Sequence, residues 1–136
     1  MKVIAESHPG FSVLRYSGTH ACRDDDHERD HRVREYVDER VRAGQYRFLA
    51  DVRDLHVLYG SGIGDLLRSW TPRPCDGRVR IAILWKPSRK HPDRWAYWSA
   101  TIEKAFGNSV WVRCGNSATR FFVDEDNAHV VLLDEE

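Results

Sequence analysis

The sequence has no excess of charge of either sign and few cysteines. Its 136 residues include 21 Lys and Arg against 21 Asp and Glu, so the formal net charge is zero. Proteins that bind nucleic acids usually carry a basic excess or a basic face, so this balance argues against a nucleic-acid partner. Cys22, Cys75 and Cys114 lie far apart and form no CxxC pair, which favours free thiols in a reducing cytosol over a metal or redox role.

Long hydrophobic runs are also lacking. No run approaches the roughly 20 apolar residues of a membrane-spanning helix, and the first residues lack the apolar core of a signal peptide. We therefore expect a cytoplasmic location. A chain of this length suits a single domain, residues 1–136, that folds without a disulfide or a metal, and we expect no cofactor.

Hydrophobic periodicity divides the chain into alternating strands and helices. Val33, Val37 and Val41 recur at helical spacing, whereas residues 79–85 are nearly continuously apolar, as in a central strand covered on both faces. The predicted helices cover 23–43, 61–70, 92–106 and 124–134, and the predicted strands cover 2–6, 10–17, 46–52, 79–85 and 110–112. This order predicts an α/β fold: a mixed, mostly parallel sheet of four or five strands with an N-terminal antiparallel hairpin and about four helices.

The segment from Tyr46 to Trp70 is the most informative part of the chain. A strand over 46–52 is expected to end in an acidic turn and a short apolar link. Gly60-Ser61-Gly62 then opens a helix whose apolar residues share one face: Ile63, Leu66, Leu67 and Trp70. The first N–H groups of a helix have no partner within it, so this helix start suits a regulatory phosphate or a docking partner.

This segment resembles the signature of the STAS family, the sulphate transporter and anti-sigma-factor antagonist domains. In that family a strand is followed by Asp-Leu, a short link, and Asp-Ser-Ser/Thr-Gly-Leu/Ile-Gly at a helix start. Asp54-Leu55 matches the first part and Ser61-Gly62-Ile63-Gly64 the last. The order of elements, and residues 120–133 at the end, resemble the stand-alone SpoIIAA-like branch. The resemblance implies a non-enzymatic regulatory protein of bacterial type that binds a protein partner.

Two positions depart from the family signature. The family's phosphorylated serine aligns with Gly60, which cannot accept a phosphate, and the preceding aspartate aligns with Tyr59. The resemblance therefore implies that the phosphorylation switch is absent or has moved to Ser61. The predicted partner-binding or phosphorylation loop comprises Asp54, Tyr59, Gly60, Ser61 and Gly62. Asp54 is expected to hold the turn, and Ser61 to cap the helix or to accept phosphate.

A second interpretation is a carrier or sensor of a lipophilic small molecule at a membrane surface. The SpoIIAA-like branch also resembles lipid-carrier folds of the SEC14 type, and Trp70, Trp95 and Trp98 lie on helix faces where such a ligand could bind. The alternative is that these aromatic residues belong to the core. A basic loop over 86–94 would either touch anionic lipid weakly or be solvated.

A third interpretation is a zinc-dependent hydrolase. His27-Glu28-Arg29-Asp30-His31 matches H-E-x-x-H, which on a helix places two histidines one turn apart with the glutamate as general base. The surroundings are almost wholly charged, and His20 or Asp24 would complete only an exposed, weak site. We therefore expect a solvated helix face without a metal at His27 and His31. The apolar stripe of this helix is narrow at its start, which leaves a homodimer open.

Overall fold

The structure, a computed structural model, describes residues 1–71, 78–85, 112–114 and 117–134. The strands in these ranges are β1 (Lys2–His8), β2 (Phe11–His20), β3 (Arg47–Val57), β4 (Val79–Leu84), β5 (Val112–Cys114) and β6 (Ser117–Phe122). The helices are α1 (Asp24–Arg42), α2 (Gly60–Ser69) and α3 (Glu125–Leu132). None of these helices combines the length and the apolar composition that crossing a bilayer requires.

The strands form one mixed, six-stranded sheet in the order β1-β2-β3-β4-β6-β5. Parallel pairs join β2 to β3, β3 to β4 and β4 to β6, whereas β1 is antiparallel to β2 and β5 is antiparallel to β6. The predicted α/β fold with an N-terminal antiparallel hairpin is confirmed, and the sheet has six strands where four or five were expected. Because the carboxyl ends of parallel strands share one edge, the segments that follow β2 and β3 meet there.

Side chains that alternate along the strands build a core on each face of the sheet. On one face, α1 and α2 cover buried residues such as Leu14, Phe48 and Ile81. On the other face, α3 packs Ala128 and Leu132 against the intervening strand positions. Both faces of the central strands are therefore covered, which explains their nearly continuous apolar sequence.

Helix α1 packs on its own sheet. Val33, Val37 and Val41 are buried in the core. The apolar stripe of α1, for which a second subunit was considered, therefore packs within its own chain. Residues 24–26 occupy the first turn, where three negative charges suit the positive end of the helix dipole.

Two predicted strand bounds differ from the structure. β3 continues to Val57 instead of ending at 52. The strand beside β4 is β6, Ser117–Phe122. Of the predicted last strand, 110–112, residues 110 and 111 lie outside the described residues, and Val112 is the first residue of β5. The predicted helix over 92–106 lies outside the described residues.

Candidate functional site

A short connection joins β3 to α2 at the carboxyl edge of the parallel strands. β3 ends at Val57, and α2 begins at Gly60 after only Leu58 and Tyr59. The backbone N–H of Leu58 donates to the carbonyl oxygen of His20 at 3.0 Å, which ties the connection to the end of β2. The glycine-containing helix start therefore follows its strand almost directly.

The prediction of an acidic turn held by Asp54 is wrong. Asp54 is an exposed residue within β3 and lies opposite Ser17 of β2. β3 remains paired with β2 as far as Val57, beyond a register shift between Arg15 and Ser17. Continued pairing satisfies the backbone N–H and C=O groups of this polar stretch, so the strand does not end there.

The prediction that Ser61 caps α2 is also wrong. Tyr59 occupies the N-cap position and makes no side-chain capping hydrogen bond, and Ser61 lies inside the first turn. The Ser61 hydroxyl oxygen is instead 3.4 Å from Sγ of Cys22. A role for Ser61 as phosphoacceptor stays a prediction.

The start of α2 presents Tyr59, Gly60 and Ser61 on the outside of the protein; we call these three residues the Tyr59 surface. The Tyr59 side chain is 57% exposed. A Cβ atom added at Gly60 would meet nothing within 4 Å. The structure thus brings three of the five predicted loop residues together on one accessible surface.

Gly62, the next residue, is buried and permits a close approach of α2 to the sheet. A Cβ atom at this position would lie 2.8 Å from Cγ1 of Val57 and 3.0 Å from Nδ1 of His20. Both distances are shorter than ordinary van der Waals contact, so only glycine fits without a shift of its neighbours.

The loop after β2 faces the Tyr59 surface through Cys22. Cys22 has a φ of +55°, and it is the one non-glycine residue with a positive φ in the described part of the chain. Its backbone N–H donates to Nδ1 of His20 at 3.3 Å. Asp26 fixes the flanking backbone, since its carboxylate accepts the N–H of Ala21 at 2.8 Å and of Arg23 at 3.3 Å.

A buried histidine–aspartate pair couples β2 to α1. His20 Nε2 and Asp30 Oδ2 lie 2.8 Å apart, and the two residues are 0% and 7% exposed. Because Nδ1 accepts the Cys22 N–H, the proton of neutral His20 lies on Nε2, which donates to Asp30. The other oxygen of Asp30, Oδ1, has no hydrogen-bond partner among the described residues. Burial raises the pKa of Asp30, the bond from His20 offsets part of this, and the charge of Asp65 adds to the rise.

Asp65 of α2 and His27 of α1 extend this pair towards the surface. Candidate metal-ligand atoms of His20, Asp30 and Asp65 all lie within 4.8 Å of one another. His27 Nδ1 is 3.6 Å from Asp65 Oδ2, and the His27 side chain is 50% exposed. We call these four residues the His20 cluster; its outer members line an open cleft between α1 and α2.

In H-E-x-x-H, the side chains of Glu28 and His31 contact neighbours one turn away on α1. His31 Nε2 is 2.9 Å from Glu35 Oε1, and Glu28 is 2.6 Å from Arg32, both one turn apart on α1. These are exposed ion pairs along a helix surface. The ligand atoms that the described residues bring together belong to the His20 cluster instead.

Sequence reasoning misses the centre of this cluster. It predicts neither Asp30 nor Asp65 as a site residue, and it assigns His20 to an exposed site although His20 is fully buried. One signal for the cluster exists in the sequence of α1, because Asp26 and Asp30 lie on the same buried stripe of the helix as Val33. A charged residue on the buried stripe of a helix indicates a polar partner inside the protein.

Trp70, one of the predicted lipophilic-ligand contacts, is a core residue. It is 2% exposed, and its Nε1–H donates to the Tyr16 hydroxyl at 2.8 Å. This position agrees with the core interpretation of the aromatic stripe. Trp95, Trp98 and the basic loop over 86–94 lie outside the described residues.

No protein-family model matches the chain, and no curated protein matches its sequence. Solved structures do match it. An anti-sigma factor antagonist from Mycobacterium paratuberculosis has a TM-score of 0.59 and 14% identity over 98% of this chain and 94% of its own. The unphosphorylated anti-sigma factor antagonist SpoIIAA has a TM-score of 0.54 and 15% identity over 96% of both chains. A DUF3478 protein with a SpoIIAA-like fold from Shewanella loihica PV-4 has a TM-score of 0.51 and 19% identity over 96% and 92%.

Proposed function

From the premise that this chain has the SpoIIAA-like, STAS-type fold, we propose that it is a non-enzymatic regulator that binds a protein. The partner class that we propose is an anti-sigma factor, because two similar structures are anti-sigma factor antagonists. A fold hosts many functions, so the proposal rests on a particular surface of this chain.

The exposed Tyr59 beside Gly60 is the observation that carries this proposal. Aromatic residues such as tyrosine are enriched among the few that supply most of the binding energy of an interface. Tyr59 is 57% exposed and is therefore accessible to a partner. Gly60 places no side chain in the way of a partner's backbone. The Tyr59 surface therefore offers an aromatic anchor beside an accessible main chain.

Electrostatics favour an acceptor group of the partner at this surface. The first turn of α2 contains no acidic residue, so no side-chain carboxylate within it offsets the positive end of the helix dipole. Gly60 cannot be phosphorylated, and we propose that binding does not depend on a phosphate there. A phosphate at Ser61 would add a charge of about −1.5 to −2 and oppose an acidic partner.

Within the described residues, no specific observation favours the carrier over the protein-binding regulator. Trp70 is packed in the core and bonded to the Tyr16 hydroxyl. We therefore keep a cytoplasmic protein-binding regulator as the proposed function. Contact of residues 86–94 with anionic lipid and self-association remain separate predictions.

Site-specific photocrosslinking in the native host tests the proposal. A photoreactive amino acid placed at Tyr59 is expected to give a discrete adduct with one protein, identified by mass spectrometry as an anti-sigma factor. The matched control is Val130 of α3, which is 71% exposed but lies on the opposite face of the sheet. Equal adducts from both positions, or none from Tyr59, would contradict the proposal.

Binding to the purified partner supplies the quantitative test. Tyr59→Ala is expected to weaken binding at least tenfold, since loss of a hot-spot aromatic residue costs about 2 kcal/mol. Val130→Ala should leave the affinity unchanged. Both dissociation constants are measured by calorimetry, and equal affinities for the two variants would remove Tyr59 from the interface.

A further inference from the structure

We propose that the His20 cluster binds one divalent transition-metal ion. The ligands are His20 Nε2 and the carboxylates of Asp30 and Asp65, with His27 Nδ1 completing the set from the rim of the cleft. This site shares His27 and Asp30 with the H-E-x-x-H segment, but it excludes His31 and takes its ligands from β2, α1 and α2. It needs no protein partner and can be tested without one.

The spacing of the ligand atoms is close to that around a bound ion. Bonds from zinc to imidazole nitrogen or carboxylate oxygen are about 2.0–2.2 Å, so two such ligands lie about 3–4 Å apart. His20 Nε2 and Asp30 Oδ2 are 2.8 Å apart, and the atoms of His20, Asp30 and Asp65 lie within 4.8 Å of one another. Asp65 lies at the open cleft, and its side chain is 17% exposed.

One buried carboxylate oxygen of the cluster also lacks a hydrogen-bond partner among the described residues. Asp30 Oδ1 is buried without a hydrogen-bond partner among the described residues, and the neighbouring Asp65 is a second carboxylate. Asp65 contacts Arg68 on its own helix and lies near His27, but neither of these groups is paired with Asp30. A cation between the two carboxylates would satisfy Oδ1 and cancel their repulsion.

The donor set selects the class of metal. Imidazole with carboxylate suits zinc and the neighbouring first-row ions, whereas an all-oxygen set would suit magnesium or calcium. Cys22 Sγ lies on the other side of the imidazole, 3.8 Å from Nδ1, and is not a ligand of this site. A metal on Nε2 moves the imidazole proton to Nδ1, where the Cys22 sulfur can accept it in place of the long 3.3 Å bond from the Cys22 N–H.

Zinc titration of the metal-free chain, residues 1–136, tests the site. We expect calorimetry to show one zinc ion per chain and a thermal midpoint that rises with zinc concentration. Asp65→Asn should weaken zinc binding at least about tenfold, because it removes a charged ligand. His31→Ala, one turn from His27 but outside the cluster, should bind zinc like the wild type.

Further measurements keep the result unambiguous. The circular dichroism melt of Asp65→Asn without metal shows whether the variant folds, and His27→Gln provides a second rim variant that should also weaken binding. Bound cobalt should show no thiolate charge-transfer band. The proposal is overturned if the wild type binds no zinc, if both rim variants retain full affinity, if His31→Ala abolishes binding, or if cobalt reports a sulfur ligand.

Discussion

Asp51 and Asp30 are buried to the same degree, yet they lie in opposite electrostatic surroundings. They are 6% and 7% exposed, respectively. On the α3 face of the sheet, the Asp51 carboxylate accepts two bonds of 3.0 Å from Arg53 and one of 2.8 Å from Arg15. On the α1 face, the Asp30 carboxylate accepts one bond from His20 and keeps one oxygen without a partner among the described residues.

The pKa values of the two carboxyl groups move in opposite directions as a result. Burial opposes ionisation of both groups. At Asp51, hydrogen bonds from Arg53 and Arg15, together with the charge of Arg53, outweigh burial and hold the pKa below its usual range. At Asp30, burial dominates and the pKa is raised. The supply of donors therefore decides the outcome, and a buried carboxylate short of positive charge is the better candidate for a binding site.

The largest effect on stability is expected from removing the charge of Asp51, the carboxylate with the arginine partners. Asp51→Asn should lower the free energy of unfolding by about 2 kcal/mol at neutral pH, less than for a fully buried pair. The expected loss is smaller than for a fully buried pair because the Arg15 and Arg53 side chains are 34% and 32% exposed. Because the folded pKa of Asp51 is lowered, its stabilisation is present above the ordinary aspartate range and is lost as the pH falls through that lowered pKa.

Urea titrations of wild type and Asp51→Asn at neutral and acidic pH measure this effect. The difference between the two proteins should shrink on acidification. A difference that stays constant with pH would show that the variant acts through packing and not through the charge of Asp51.

The second largest effect on stability is expected from displacing His20, the hydrogen-bond partner of Asp30. Gly62→Ala places a methyl group 2.8 Å from Val57 and 3.0 Å from His20, both buried residues. Such overpacking should destabilise the protein by about 1–2 kcal/mol and shift His20 away from Asp30. Gly60→Ala is the matched control, because its Cβ meets nothing within 4 Å. Equal unfolding midpoints for the two variants would show that α2 can move away from the sheet at little cost.

The smallest effect has the opposite sign. Asp30→Asn keeps an oxygen that accepts from His20 but removes the buried charge, so it should stabilise the metal-free protein by about 1 kcal/mol at neutral pH. Because the pKa of Asp30 is raised in the folded protein, ionisation of Asp30 destabilises the wild type as the pH rises through that pKa. The difference in stability between the variant and the wild type should therefore vanish in acid. Thermal melts in a chelator measure this. Destabilisation at neutral pH would show that the cation-free pair is already favourable.

The sequence predicts most elements because their hydrophobic patterns are local. Residues 79–85 give β4, Val79–Leu84, and the predicted helix 61–70 corresponds to α2, Gly60–Ser69. The end of β3 is harder to predict, because polar residues such as Arg53 and Asp54 suggest a turn. The strand continues through them because β2 supplies its backbone partners as far as Val57.

The Tyr59 surface and the His20 cluster also differ in how far a local sequence pattern predicts them. The Tyr59 surface is contiguous in sequence, so a motif places it at a helix start. The His20 cluster joins β2, α1 and α2, and its members are distant in the chain. No local pattern shows that His20 is buried or that Asp65 approaches Asp30, because both facts arise from the packing of helices on the sheet.

Strand β1 lies at one edge of the described sheet, with β2 on its only paired side. An unpaired strand edge can recruit the strand of another molecule and start aggregation. The outward row of β1 contains Ile4, which is 49% exposed, between Lys2 and Glu6. These two charges protect the edge, and Glu6 is held in place by Arg15 at 2.9 Å. The Arg15 side chain that stabilises Asp51 therefore also holds a charge at the edge where strand addition would begin.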